Sequence, residues 1–467
     1  MEARPTRRLE AVLLLITLTA ALVVRVSAAT ADEADQNASS SGNVATRWME
    51  RTLTAVRSGS PALQTGTPGA GRTYAMTSAA MYDAINGIDT ADGASTRGRA
   101  LVSSYSQAPA GGSREAAASA AAYAVLDSLF SGNDAVRNSL SAAFQDEMAA
   151  LGSDPAVESG RSWGDAVGKE IVPLRSGDGS QAPASRPGGK GPGVFPRPFS
   201  GTQFRDMTPF GVTSVAPYLS SGPPSLTSTE YADAFNEVKE LGSLSDLNPE
   251  RAAIARHWLA EGGTVRETGL WFKVALNVIH ERGTVASLSD TARLLAYLGM
   301  GIGDSVATSW TDKFNWNYWR PGDAIRQAST DGNPLTAEDP TWSPRGGACP
   351  SGANVVSCST FGGTPEHTSG TSTFAGAAAT ILATFYCSDR IPFSFVGEQP
   401  GAQPRFYEGF AQAAREAGRS RIYGGIHFQF SNDAGREAGK GIAQEIVRTR
   451  LLPADSGAGA SAVCTGG

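Results

Sequence analysis

Three short stretches of the chain hold side chains that could do chemistry together. In DKFNWNYWRPGDAIR, Lys313 and Arg320 stand seven residues apart, a spacing that on one helix means about two turns, roughly 10.5 Å, and a shared face. Pro321 disfavours the helical conformation at Arg320, so the helix is expected to end there and leave the guanidinium free to reach a ligand. Phe314, Trp316, Tyr318 and Trp319 are expected to pack the two stems and exclude water. In PEHTSGTSTFAG, Ser369 and Gly370 precede a run of small residues without proline, which reads as a helix N-terminus. The first amides of a helix have no intrahelical acceptor and carry the positive end of its dipole, so such a junction favours an anion. In SRIYGGIHFQF, Arg421 comes six residues before His427, with Gly424 and Gly425 between them to let the backbone approach something closely.

Each stretch alone has an ordinary reading: a cap, a solvated charged face, a turn. Taken together they supply three cations, a hydroxyl with backbone amides, and an imidazole. That is the make-up of a pocket for a tetrahedral oxyanion with one nucleophilic or metal-ligating nitrogen, because guanidinium forks match oxyanion geometry and neutral imidazole is a good ligand. Of the other histidines, His257 and His280 fall within amphipathic helical patterns and read as core or surface residues, whereas His367 lies inside the Ser-Gly stretch.

The elements that must position these groups read as helical almost everywhere. TYAMTSAAMYDAINGI puts Met76, Ala80, Ala84 and Ile88 on one face, and REAAASAAAYAVLDSLFSG puts Ala118, Ala122, Val125 and Leu129 together before Gly132. Asn248 and Pro249 open a further helix, and a long one runs from Ser289 toward Trp310. Alternation of period two is almost absent, and FSFVG at 393–397 is too short to build a sheet. An all-α bundle architecture follows. The Gly/Pro-rich stretch from Ser176 to Gly201 reads either as a linker or as a loop covering a pocket.

The order Lys-x6-Arg-Pro, Ser-Gly before a small-residue helix, then Ser-Arg-x5-His resembles the vanadium-dependent haloperoxidase and type 2 phosphatidic acid phosphatase superfamily. AMTSAAMYDAINGI, SLSDTARLLAYLGMGIGDSVATSW, WNYWRPGDAIR and GRSRIYGGIHF are similar to its soluble, haloperoxidase-like branch. The resemblance implies an all-α fold of two four-helix bundles, with vanadate as cofactor in the second. It implies that Lys313, Arg320 and Arg421 neutralise the oxyanion, that Ser369 and the Gly370 amide hydrogen-bond to it, and that His427 is the metal ligand. Hydrogen peroxide, a halide and an organic acceptor are the implied small-molecule partners. In the phosphatases the residue matching His427 instead forms a phosphohistidine, so a soluble acid phosphatase is the alternative, and a non-catalytic oxyanion-binding protein is a third reading.

One position departs from the family pattern. The turn is normally Pro-Ser-Gly-His, but here it is Thr368-Ser369-Gly370-Thr371, so Thr371 stands where the acid/base histidine belongs. A threonine cannot exchange protons near neutral pH. An altered or weak peroxidase, a site that His367 reaches from four residues earlier, and an oxyanion-binding relic are the three readings this leaves.

The chain of 467 residues can bury a sizeable core. Arg4, Arg7 and Arg8, the apolar run from Ala11 to Val24 and the small residues up to Thr30 form a signal-peptide pattern. Residues 1–29 are therefore expected to be a signal peptide and the protein to be secreted, followed by a disordered linker at 30–44, a helical domain at 45–453 and a flexible tail at 454–467. No other stretch approaches the ~18 unbroken apolar residues of a membrane span, so no stable membrane insertion is expected. The net charge of -6, spread without long runs, argues against nucleic acid as a partner. Cys349, Cys358, Cys387 and Cys464 suit disulfides of an exported protein, Cys349 with Cys358 closing the shortest loop. A homo-oligomer stays open.

Overall fold

The computed structural model describes residues 42–59, 66–282, 287–345 and 363–453. The expected signal peptide, most of the expected linker, the tail, and Cys349, Cys358 and Cys464 lie outside these residues. Cys387 is disulfide-bonded. Helical structure begins at Val44, inside the segment expected to be linker, because Asn43 caps the helix by accepting from the amides of Ala45 and Thr46.

Helices α1 (Val44–Ser58), α2 (Gly66–Ala91), α3 (Arg114–Leu129) and α5 (Pro155–Ser176) pack on one another, with α4 (Asp134–Leu151) outside α3. Met76, Ala80, Ala84 and Ile88 are fully buried, as their spacing predicts, but α2 is buried on nearly every side. A second group of four is formed by α9 (Leu288–Trp316), α11 (Gly370–Phe385), α12 (Phe410–Tyr423) and α13 (Gln429–Thr449). The seam between α2 and α9 joins the two groups. Between them in sequence come α6 (Thr229–Leu241), α7 (Pro249–His257) capped by Asn248, and α8 (Arg266–Arg282); the short α10 (Pro321–Arg326) follows α9. The all-α reading holds, and among the described residues no helix is long and apolar enough to cross a membrane.

Two buried carboxylates tie loops to the central helices. Asp83 on α2 accepts from the amides of Ala100, Leu101 and Val102, and Asp304 on α9 from those of Phe210, Gly211 and Val212. Three backbone donors per carboxylate stabilise a buried charge that desolvation would otherwise penalise heavily.

The small residues of α11 have a packing reason. A Cβ at Gly439 of α13 would lie 2.0 Å from the carbonyl oxygen of Thr373, so only glycine lets α13 cross the first turns of α11. That crossing fixes the start of α11 against the residues leading into α13, where His427 lies.

Two expectations need correction, and one reading left open is resolved. The FSFV segment does pair: β3 (Phe393–Val396) and β4 (Pro404–Tyr407) form an antiparallel hairpin with Phe393 opposite Tyr407, its inward phenylalanines giving it a buried face despite its length. Lys313 and Arg320 do not share a helix, because Asn317 adopts the left-handed conformation (φ 45°, ψ 42°) and ends α9 three residues before Arg320. The two cations still converge, but through a turn. Finally, the Gly/Pro-rich stretch is a covering loop. It carries β1 (Ser185–Arg186) and β2 (Phe199–Ser200), paired antiparallel, and is bound to the end of α9 by Phe195 N–H to Asn317 O at 2.7 Å and to α10 by the Arg197–Asp323 ion pair at 2.7 Å.

Candidate active site

A cavity of about 500 Å³ is bordered by Lys313, Arg320, Gly370, Thr371, Arg421 and His427. Four sequence segments contribute these groups. The last turn of α9 supplies Lys313, the residue before α10 supplies Arg320, the first turn of α11 supplies Gly370 and Thr371, and the turn joining α12 to α13 supplies His427, with Arg421 just before it. In that last turn Gly425 has φ +73° and lies so close to Gly242 that an added Cβ would be 2.5 Å from its carbonyl oxygen. This is the close backbone approach that Gly424 and Gly425 suggested.

The three cations are held in different ways. Lys313 is buried and donates to the carbonyls of Pro365 (2.7 Å) and Glu366 (3.2 Å), which leaves one ammonium N–H uncommitted. Arg320 commits all five of its N–H bonds. Nε donates to Thr364 O, Nη1 to Ile426 O and His427 Nε2, and Nη2 to Thr364 Oγ1 and Pro365 O. Arg320 therefore gives the cavity charge rather than free donors, and it latches the Thr364–Glu366 turn onto the Ile426–His427 turn. Arg421 makes no side-chain hydrogen bond among the described residues, and its Nε is buried without a partner. Burial pushes Lys313 well below its ordinary pKa, with Arg320 adding to the effect. Burial also brings Arg320 down to about 10 and lowers Arg421, against the pull of Glu267 and Glu261 at the cavity mouth.

His427 is oriented by a residue that the sequence reading missed. Glu366 is fully buried, and its Oε1 accepts from His427 Nδ1 at 2.8 Å and from the amide of Phe428 at 3.0 Å. Because Arg320 can only donate, Nε2 must be the acceptor of the 2.9 Å contact with Nη1. The imidazole thus carries its proton on Nδ1 and holds the Nε2 lone pair ready for an electrophile. Burial, then the charges of Arg320, Lys313 and Arg421, push His427 well below its ordinary pKa, so the ring is neutral at physiological pH. Burial in turn pushes Glu366 up to about 7, opposed by Arg320. The signal available in the sequence was an acid three residues before a suspected anion-binding helix start. Trp310, on α9 one turn before Lys313, also borders the cavity, and its buried Nε1 lacks a partner.

The remaining expected residues divide. Ser369 is the N-cap of α11 and is fully buried, and its Oγ accepts from the Ser372 amide at 3.4 Å. It does not border the cavity, whereas Gly370 and Thr371 do. His367 does not border it either. Its Nε2 lies 2.6 Å from Ser220 Oγ and its ring packs beside Trp316 and Phe430, while burial drives its pKa down to about 3. The expectation that His367 reaches the cavity is therefore corrected: the Ser220 contact holds the ring on the other side of the turn. Of the aromatic residues expected to seal the cations, Tyr318 and Trp319 are buried, Trp316 is 41% exposed, and Phe314 lies under Arg186 and Arg205 rather than Lys313.

Residues 293–452 match the model of the VCPO second helical-bundle domain, a span that holds every residue of the expected site. Vanadium chloroperoxidase of Curvularia inaequalis is 27% identical over 183 residues, covering 35% of this chain and 29% of that protein; the match thus spans less than a third of the relative's length. Among solved structures, a bacterial vanadium-dependent iodoperoxidase superposes with a TM-score of 0.66 at 19% identity, covering 90% of this chain and 96% of the other. The apo form of a bacterial vanadium-dependent chloroperoxidase gives 0.58 at 17% identity, covering 83% and 95%. At these identities the superpositions speak for the fold. The fold is thus like that of these vanadium-dependent haloperoxidases, and the domain match and the curated relative carry a sequence likeness over part of the chain.

Proposed function

We propose that the protein is an exported, vanadate-dependent haloperoxidase-like oxidoreductase that uses hydrogen peroxide and a halide on an organic acceptor, with turnover weakened by Thr371. The observation that carries the reading is the meeting, in one cavity, of Arg421, Lys313 and Arg320 with the Nε2 side of a neutral His427. These residues suit vanadate: Arg421 has unspent donors, Lys313 has one, and the first amides of α11 have no intrahelical acceptor. Such a pocket lowers the energy of charge developing on oxygen because its donors are fixed before the reaction begins. Export is supported by the N-terminal basic, apolar and small-residue pattern.

When bound, vanadate supplies a Lewis-acid centre that activates peroxide toward halide. His427 offers Nε2 to it, and Glu366 keeps the proton on Nδ1. The Arg421 guanidinium and the Lys313 ammonium would hold the anionic oxygens while Arg320 adds charge, and the covering loop lines the cavity through Ser200 and Gly201. The proton acceptor of the family turn is missing at Thr371, and His367, engaged with Ser220, does not supply one. Purified protein incubated with orthovanadate is expected to oxidise halide slowly with peroxide. Hydrolysis of a soluble phosphate ester without peroxidase activity would favour the phosphatase reading, and vanadate binding with neither activity would favour an oxyanion-binding protein.

A further inference from the structure

A second cavity, of about 400 Å³, opens at the other end of α9, where α2, the 94–97 loop and the start of α9 meet. The separation from Lys313 is about 36 Å along the helix axis. Its two carboxylates are fully engaged. Asp89 accepts from Arg114 Nη1 at 2.9 Å and from Ser289 Oγ at 2.5 Å, and Asp290 accepts from Arg293 Nη2 at 3.0 Å and from Ser287 Oγ at 2.7 Å. Three guanidinium groups face these two acids. Arg97 and Arg114 line the cavity, and Arg293, 1% exposed, stands behind Asp290.

The donors are not matched by acceptors. Among the described residues, buried Nη1 of Arg97 and buried Nε and Nη1 of Arg293 have no hydrogen-bond partner, although the Arg293 guanidinium lies 5.2 Å from the Phe385 ring centroid. Leaving such groups unpaired is costly, and more so where the group is charged, and an anion in the cavity would offset that cost. Burial, then the nearby Arg97 charge, push the Arg293 pKa down, against the pull of Asp290. The N-terminus of the 29-residue α9 adds the positive end of its dipole to the same place.

We propose that this cavity is a second anion site, taking a small oxyanion such as sulfate or phosphate, with Arg97 as its principal donor and Arg293 as the buried charge behind it. It does not depend on the function proposed for the first cavity. Titration calorimetry of the full chain with inorganic sulfate tests it, with Arg421→Met removing the first site and Arg97→Gln the second. Two classes of site are expected in the unaltered protein, one in each variant and none in the double variant, with Arg97→Gln melting at the same temperature as the unaltered protein when sulfate is absent. A selenate soak of crystals should place an anomalous peak within hydrogen-bond distance of the Arg97 guanidinium. A single class of site abolished by Arg421→Met alone would overturn the proposal. So would sulfate binding unchanged by Arg97→Gln, or selenate seen in the soaked crystal with no matching site in solution.

Discussion

Nη1 of Arg320 donates to Nε2 of His427 at 2.9 Å, so the nitrogen best suited to ligate vanadium is already engaged by one of the cations meant to neutralise it. A ligand taking Nε2 would displace this bond, and the Arg320 N–H so freed would be available to an anionic oxygen. Arg320 and Arg421 should consequently respond in opposite ways to substitution. Arg320→Lys keeps the charge but loses the fork that latches two turns, and is expected to lower unfolding stability by about 2–3 kcal/mol, because buried acceptors on both turns lose their donors. Arg421→Met removes a buried cation that has no side-chain partner, and is expected to leave stability unchanged or raise it while abolishing vanadate binding. Denaturant melts of both variants check the contrast.

Glu366 sets the tautomer of His427. In Glu366→Gln, vanadate affinity is expected to fall by about 10–100-fold, the usual cost of losing an outer partner of a ligating histidine. Nitrogen NMR of the unaltered protein should show a protonated Nδ1 and an unprotonated Nε2, with the two tautomers mixing in the variant.

Thr371 borders the cavity at the position where the resemblance leads one to expect an acid/base histidine. General acid/base groups contribute about 10²–10⁴ in rate, and Thr371→His is expected to recover at least a tenfold part of that in peroxide-dependent halide oxidation. His367→Ala is expected to leave the rate unchanged, because its ring is held by Ser220 away from the cavity. A large loss in His367→Ala with no gain in Thr371→His would reverse this assignment.

Glu398 provides a pH-dependent stability. Burial works to raise its pKa, but hydrogen bonds and charges from Arg57 and Lys273 outweigh this and bring it from 4.5 to about 2. Its Oε2 also accepts from the amide of Val265 beside the cavity mouth. A depressed carboxyl adds stability that is fully present above the unfolded pKa and lost as pH falls through the folded one, here between about pH 4.5 and 2. The shift corresponds to about 3 kcal/mol. Melts of Glu398→Gln should show a lower plateau at neutral pH and a flatter acid limb than the unaltered chain.

How much of this was visible before the fold was known depends on the kind of interaction. The start of α11 at Gly370, the long α9 and the meeting of Lys313, Arg320, Arg421 and Gly370 follow from side-chain type, capping chemistry and motif order. The spending of Arg320's donors does not, because four of its five acceptors are carbonyl or hydroxyl oxygens of turns that no residue pattern announces. The seven-residue spacing misled for a related reason: Asn317 can continue a helix or end it in the left-handed conformation, and only the contact of its carbonyl with Phe195 shows which. His367 was ambiguous because a turn of unknown direction precedes α11. Glu366 escaped notice because it stands 61 residues from His427, and no spacing rule joins a carboxylate to an imidazole over that distance.

His427 is proposed to hold one vanadate in this cavity. Vanadium content and affinity, measured after equilibration with orthovanadate for the unaltered protein and for His427→Ala, test it most directly, with circular dichroism showing that both are folded. The unaltered protein should bind one vanadium per chain in competition with millimolar phosphate, and His427→Ala should lose tight binding with its helical spectrum unchanged. Stoichiometric vanadium at unaltered affinity in a folded His427→Ala, or uptake insensitive to phosphate, would contradict the account.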